Sequence, residues 1–171
     1  DGVLGLVRSG AVNPESILTA SFLFGSHDLY DWVNLQPRVQ MRRTEVTNDP
    51  GLIAKQTQMT SINAALQVDL YDQANASYVN GQPYSGFGGS TDFIVGALHS
   101  KGGASIMALP SWHGKSQSSN IVHRLSETVT SFQHSFVVTE QGIAECFGRS
   151  ASEQATNLIE KAANPSAREY L

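Results

Sequence analysis

Residues 86–92, Gly-Phe-Gly-Gly-Ser-Thr-Asp, place glycine at 86, 88 and 89, directly before an apolar stretch with helical spacing. Glycine lets backbone N–H groups come close to a ligand, and the start of a helix adds partial positive charge. Gly88 and Gly89 are therefore candidates to bind an anion, or to stabilise an oxyanion that develops during acyl transfer. A tight strand-to-helix turn is the alternative. Lys101, before Gly102-Gly103, can offer an ammonium to a phosphate, or sit solvated in a surface turn. Glu140 ends an apolar strand, where a carboxylate either orients a ligand or marks an exposed terminus. Asn48 and Asn63 can each donate a side-chain amide, although Asn48 reads first as a turn or cap residue.

Other chemistries lack their signatures. The sequence contains no G-x-S-x-G elbow, no H-E-x-x-H and no Walker A loop, and residues 86–89 lack the third glycine of a dinucleotide fingerprint. Cys146 is the only cysteine, which excludes an internal disulfide. His27, His99, His113, His123 and His134 are scattered with no i, i+4 pair, so no metal is expected. A net charge of −4 gives no basic footprint, so nucleic acid is not an expected partner. No apolar run approaches the ~20 residues of a membrane span. The first ten residues carry no leader pattern, so the expected compartment is cytoplasmic, or an organelle matrix if an earlier segment has been lost.

These residues need a scaffold, and 171 residues at 40% apolar and 15% charged suffice for one domain with its own core. A helix is expected over 1–10, with Gly10 as its stop. Residues 17–24 read as a buried strand, and Ser26 as the cap of a short helix around Leu29, Trp32 and Val33. Phe22, Phe24, Tyr30 and Trp32 are expected in the core. Residues 39–42 suggest an edge strand, and Pro50 a helix start. One strand is expected over 59–70, turn or loop over 72–81, and strands over 104–109 and 136–139. Phe93, Ile94, Ala97 and Leu98 share a helix face, as do Ala155, Leu158, Ile159 and Ala162 in a helix over 150–163. Alternating strands and helices predict an α/β fold with a mixed, mainly parallel central sheet and helices on both faces. Its ligand edge is expected near Gly88-Gly89, at the carboxyl ends of the strands.

Taken together and in order, the motifs resemble the acetyl-CoA hydrolase/transferase family of class I CoA-transferases. The matching stretches are Asp1-Gly2-Val3, Ser21-Phe22-Leu23-Phe24-Gly25-Ser26, Asn48-Asp49-Pro50 and residues 61–70. They continue through Gly-Gly-x-x-Asp-Phe at 88–93, Lys101-Gly102-Gly103, Leu109-Pro110-Ser111, Val138-Thr139-Glu140-Gln141-Gly142 and residues 167–171. Each is short, yet together they cover essentially the whole chain, as the family's C-terminal domain.

The resemblance implies a glutamate that attacks an acyl-CoA thioester, giving an acyl-glutamyl anhydride and then a glutamyl-CoA thioester. A carboxylate acceptor reverses the sequence, or water hydrolyses the intermediate. By resemblance, Gly88 or Gly89 offers a backbone N–H to the oxyanion, and Asn63, Gly89 and Lys101 contact coenzyme A. Asn48 lies beside the nucleophile, and Glu140 lines the site. The family's nucleophile belongs to a Thr-Glu-Met type segment before the Asp-Gly-Val match, so it is expected outside this sequence, together with the N-terminal domain. Gln67, Asn120, Gln141, Cys146-Phe147 and Asn164 depart from the family's usual residues, and these departures bear on donor and acceptor preference. The expected ligands are acyl-CoA and a short-chain carboxylate. The expected partner is the missing N-terminal domain or a subunit carrying the nucleophile, in a homo-oligomer. Alone, the chain is expected to be inactive, as a CoA-binding or assembly module.

Overall fold

Asp1 opens helix α1 (Gly2–Arg8), which ends as expected at Gly10. There φ is +76°, and the turn closes with Ala11 N donating to the Leu6 carbonyl at 3.0 Å. In this computed structural model, which describes residues 1–171, the chain forms two compact units, Asp1–Asp49 and Pro50–Leu171.

The first unit continues through β1 (Leu18–Ala20), α2 (His27–Asn34), β2 (Val39–Met41) and α3 (Thr44–Thr47). β1 and β2 pair in parallel, and Ser26 caps α2 by accepting from Leu29 N at 3.4 Å. Asp1 holds that cap in turn, because its Oδ1 accepts from Ser26 N and Ser26 Oγ at 2.9 and 2.7 Å. Two expectations fail here. The eight-residue strand over 17–24 shrinks to Leu18–Ala20, and Phe22 and Phe24 are 76% and 85% exposed rather than buried. Tyr30 is exposed as well, and Trp32 is half-buried. Within this unit a two-stranded sheet is too small to bury so many apolar side chains. Phe22, Phe24 and Trp32 border an apolar cavity of about 460 Å³ that Ile17 also lines.

The second unit begins with α4 (Pro50–Ala54) and β3 (Thr60–Ala64), followed by β4 (Gln67–Asp69). The single strand expected over 59–70 is thus broken at Ala65-Leu66, and its halves enter different sheets. β4 pairs antiparallel with β5 (Ala74–Asn75), while β6 (Tyr78–Val79) and β7 (Gln82–Pro83) form a hairpin where loop was expected. Next come α5 (Ser90–His99) and β8 (Ala104–Ala108), then the short pair β9 (Trp112–His113) and β10 (Ser118–Ser119). β11 (Ile121–Val122) joins β4 in parallel. β12 (Phe136–Thr139) and β13 (Gly142–Glu145) form an antiparallel hairpin, and α6 (Ala151–Asn157) runs into a π-helical turn, Leu158–Ala162. α6 starts with a reciprocal cap: Ser150 Oγ accepts from Glu153 N at 3.4 Å, and Glu153 Oε2 accepts from Ser150 N at 2.8 Å.

The main sheet has the order β13-β12-β8-β3, with β3, β8 and β12 parallel. The expected α/β class with a mixed, mainly parallel sheet is therefore what the chain adopts. Met107, Val137 and Ala144 lie side by side in the ladder and are buried with Ile94, Val68, Leu158 and Ala162. The alternate positions Ile62 and Ile143 are 69% and 59% exposed. Cys146, just after β13, is fully buried, and burial pushes its thiol up to about 12.

Candidate functional site at the carboxyl edge of the parallel strands

Glu140 follows the last residue of β12, and Ser111 lies just beyond the end of the neighbouring strand β8. Because the two strands are parallel, both residues emerge at the same edge of the sheet. Ser111 N donates to Glu140 Oε2 at 2.8 Å, and Ser111 Oγ makes a short hydrogen bond to Oε1. Gln141 Nε2 donates to Oε1 at 3.2 Å. The Ser111 hydroxyl, with smaller help from backbone donors and against partial desolvation, holds the Glu140 carboxyl down to about 2. Glu140 is thus a fixed, charged carboxylate and not a group that exchanges protons near neutrality.

The serine is itself held. It is fully buried, and its carbonyl accepts from Asn120 N at 2.9 Å, while Asn120 Nδ2 donates to the Pro110 carbonyl at 2.9 Å. On the other side, Thr139 Oγ1 donates to the Ala162 carbonyl at 2.7 Å and accepts from Gln141 N at 3.1 Å, fixing the turn that carries Glu140. Sequence reasoning assigned no role to Ser111. Its one signal was a place in the Leu109-Pro110-Ser111 stretch, directly after a buried strand.

Asn63 is the next-to-last residue of β3 and stands opposite Met107 of β8, so it approaches the same edge. Its Nδ2 donates to Ser61 Oγ at 2.7 Å. Gly88 and Gly89 reach that edge by a different route. The chain rises along β3, returns along α5 and rises again in the adjacent strand β8, so the start of α5 lies at the carboxyl end of the strands. Gly88 has φ +61°, a conformation that a side chain would strain. Gly89 is the N-cap and has no side chain to occupy the N–H groups of the first turn.

Lys101 does not join this group. It lies in the turn before β8, where its carbonyl accepts from Gln58 N at 2.9 Å, at the amino end of the sheet. The five residues of β8 separate it from Ser111, about 16 Å at the rise of a strand. Asn48 belongs to the first unit and ends α3, its backbone N donating to the Thr44 carbonyl and its Oδ1 accepting from Thr47 Oγ1, both at 2.8 Å. No three His, Cys, Asp or Glu side chains converge as metal ligands would, and no helix is long and apolar enough to cross a membrane.

Residues 25–171 match the family described as the acetyl-CoA hydrolase/transferase C-terminal domain. The 4-hydroxybutyrate coenzyme A transferase of Clostridium kluyveri is 38% identical over 100% of this chain and 42% of its own length. The acetyl-CoA hydrolase of Saccharomyces cerevisiae is 33% identical over 96% of this chain and 32% of its own. Among solved structures, RipA from Yersinia pestis aligns with a TM-score of 0.88 and 35% identity, covering 99% of this chain and 40% of that one. A 4-hydroxybutyrate CoA-transferase from Porphyromonas gingivalis gives a TM-score of 0.79 and 36% identity, over 99% of this chain and 41% of its own. The chain spans about two fifths of the length of these structures.

Proposed function

The chain belongs to the acetyl-CoA hydrolase/transferase family, and from that premise we propose that it forms the C-terminal half of an enzyme moving coenzyme A between a short acyl-CoA and a carboxylate. The observation that carries the reading is the Glu140 carboxylate held by Ser111 at the carboxyl edge of three parallel strands, the side of the sheet on which α5 begins after Gly88-Gly89. That edge offers a positive dipole end and a fixed negative charge, which suits a substrate that is anionic at one atom and a hydrogen-bond donor at another.

A glutamate supplied from outside this sequence attacks the thioester carbonyl. The C–S bond breaks, CoA leaves as thiolate, and an acyl-glutamyl anhydride forms. The thiolate then attacks the glutamyl carbonyl and releases the acyl carboxylate, leaving glutamyl-CoA. An acceptor carboxylate runs these steps backwards, or water cleaves the thioester. At each addition the carbonyl oxygen gains charge, and a backbone N–H of Gly88 or Gly89 stabilises it. Glu140 does not match the position of the family's nucleophile, and Ser111 and Gln141 hold both of its oxygens. It lines the site as an acceptor. Asn63 contacts CoA at the same edge, and Lys101 serves a distant part of the extended CoA molecule at the far end of the sheet.

A second reading is favoured by the exposed Phe22 and Phe24, which suit an assembly module that acts only with a partner carrying the nucleophile. Titration of the ¹⁵N-labelled chain with coenzyme A tests the shared part of both. Amide shifts are expected at Gly88, Gly89 and Ser90, and Lys101→Ala is expected to weaken binding severalfold. Saturable shifts confined to other elements would overturn the placement of the site. In the absence of any partner, no exchange of CoA between acetyl-CoA and acetate is expected; turnover by the chain alone would overturn the placing of the nucleophile outside it.

A further inference from the structure

His134 is fully buried just before β12 and is paired with the equally buried Asp72. Asp72 Oδ2 accepts from His134 N at 2.8 Å, and Oδ1 lies 2.7 Å from Nδ1. With a carboxylate oxygen as its partner, Nδ1 carries a proton. Asp72 holds this pose at φ +62°, in the left-handed region. The opposite ring nitrogen, Nε2, has no protein partner although it is buried. A buried polar atom of this kind is ordinarily satisfied, and leaving it bare is costly.

His134 also borders a small cavity under the first two turns of α5, and Asp72 does not. Nδ1 is taken by Asp72, so Nε2 is the ring nitrogen left for a group in the cavity. Ser77, Ser90, Thr91, Thr130 and Ser131, each bearing a hydroxyl, are among the lining residues. The Ser131 oxygen already accepts from Ala74 N at 2.9 Å, which frees its proton to donate elsewhere. The cavity volume is about 10 Å³, room for one water molecule and nothing larger.

We propose that this cavity is an internal hydration site, in which one long-lived water joins His134 Nε2 to the surrounding hydroxyls, Ser131 first among them. Water donates and accepts, so it completes Nε2 whether the ring is neutral or charged. Its position ties the Asp72–His134 pair to the helix that begins at Gly89, making His134 a positioning residue for that helix start. Only this last consequence rests on the acyl-CoA reading.

The test uses the whole chain without coenzyme A, so its result stands apart from that reading. Magnetisation transfer from water to the His134 ring protons is expected, with the sign of a water held for nanoseconds or longer. His134→Asn keeps a donor for Asp72 and deletes Nε2. The transfer is expected to vanish and amide exchange over residues 90–93 to rise roughly tenfold, while exchange in β12 is unchanged. Ser131→Ala is expected to weaken the transfer with the His134–Asp72 hydrogen bond intact. The proposal is overturned if the parent chain shows no long-lived water at the ring. It is equally overturned if a folded His134→Asn chain exchanges faster everywhere, as a purely structural role would require. If the Asn variant does not fold, the measurements on the parent and on Ser131→Ala decide the matter.

Discussion

Ser111 determines what Glu140 can do. The carboxyl of Glu140 sits near 2 in the folded chain against an ordinary 4.5, so folding favours its charged form. The stabilisation this brings is fully present above about pH 4.5 and is lost as pH falls toward 2, and the exposure of Glu140 keeps it small. Ser111→Ala removes the hydroxyl donor but keeps the backbone one. A carbon-detected titration of Glu140 is expected to show its midpoint moving up toward the ordinary value, and an unchanged midpoint would assign the effect to the backbone instead. The carboxylate was readable from sequence because it ends an apolar run. Its partner was not, since a serine 29 positions away has no signature of type or spacing, and only the parallel pairing of β8 and β12 brings the two together.

Among the elements, strands with a uniform buried run were readable. β12 occupies 136–139 as expected, and β8 falls within one residue of its expectation. The stretch 59–70 was not, because an apolar run carries no mark of where the chain leaves one sheet for another. Helix contacts follow volume more than pattern. A Cβ added at Gly96 of α5 would lie 2.5 Å from Cβ and Cγ2 of Ile53 in α4. Gly96→Ala is expected to destabilise the second unit by about 1–3 kcal/mol in urea unfolding, and pairing it with Ile53→Ala should relieve the clash in part. Ser150→Ala, which removes the reciprocal cap of α6, should cost about 1 kcal/mol.

At the scale of the whole molecule, apolar surface is left over. Phe22 and Phe24 on the first unit and Ile62 and Ile143 on the main sheet of the second are more than half exposed. Parallel strands are ordinarily covered on both faces. Concentration-dependent self-association is therefore expected in sedimentation, and Phe22→Ser with Phe24→Ser should shift the population toward monomer. A single monomeric species at every concentration would argue that these surfaces have no partner of their own kind. The sequence suggested burial for the aromatics because their type predicts a core; what it could not convey is how little structure the first unit has to cover them.

Cys146 gives the chain a clock of its own. The only thiol is sealed behind β13 and α6, and burial keeps it protonated far above neutral pH. A disulfide reagent in solution meets it only during an opening event. At low reagent, labelling speed counts how often such openings are populated, and at saturating reagent it levels off at the opening rate itself. Every variant described above can be timed in this way, without a dye or an added tag.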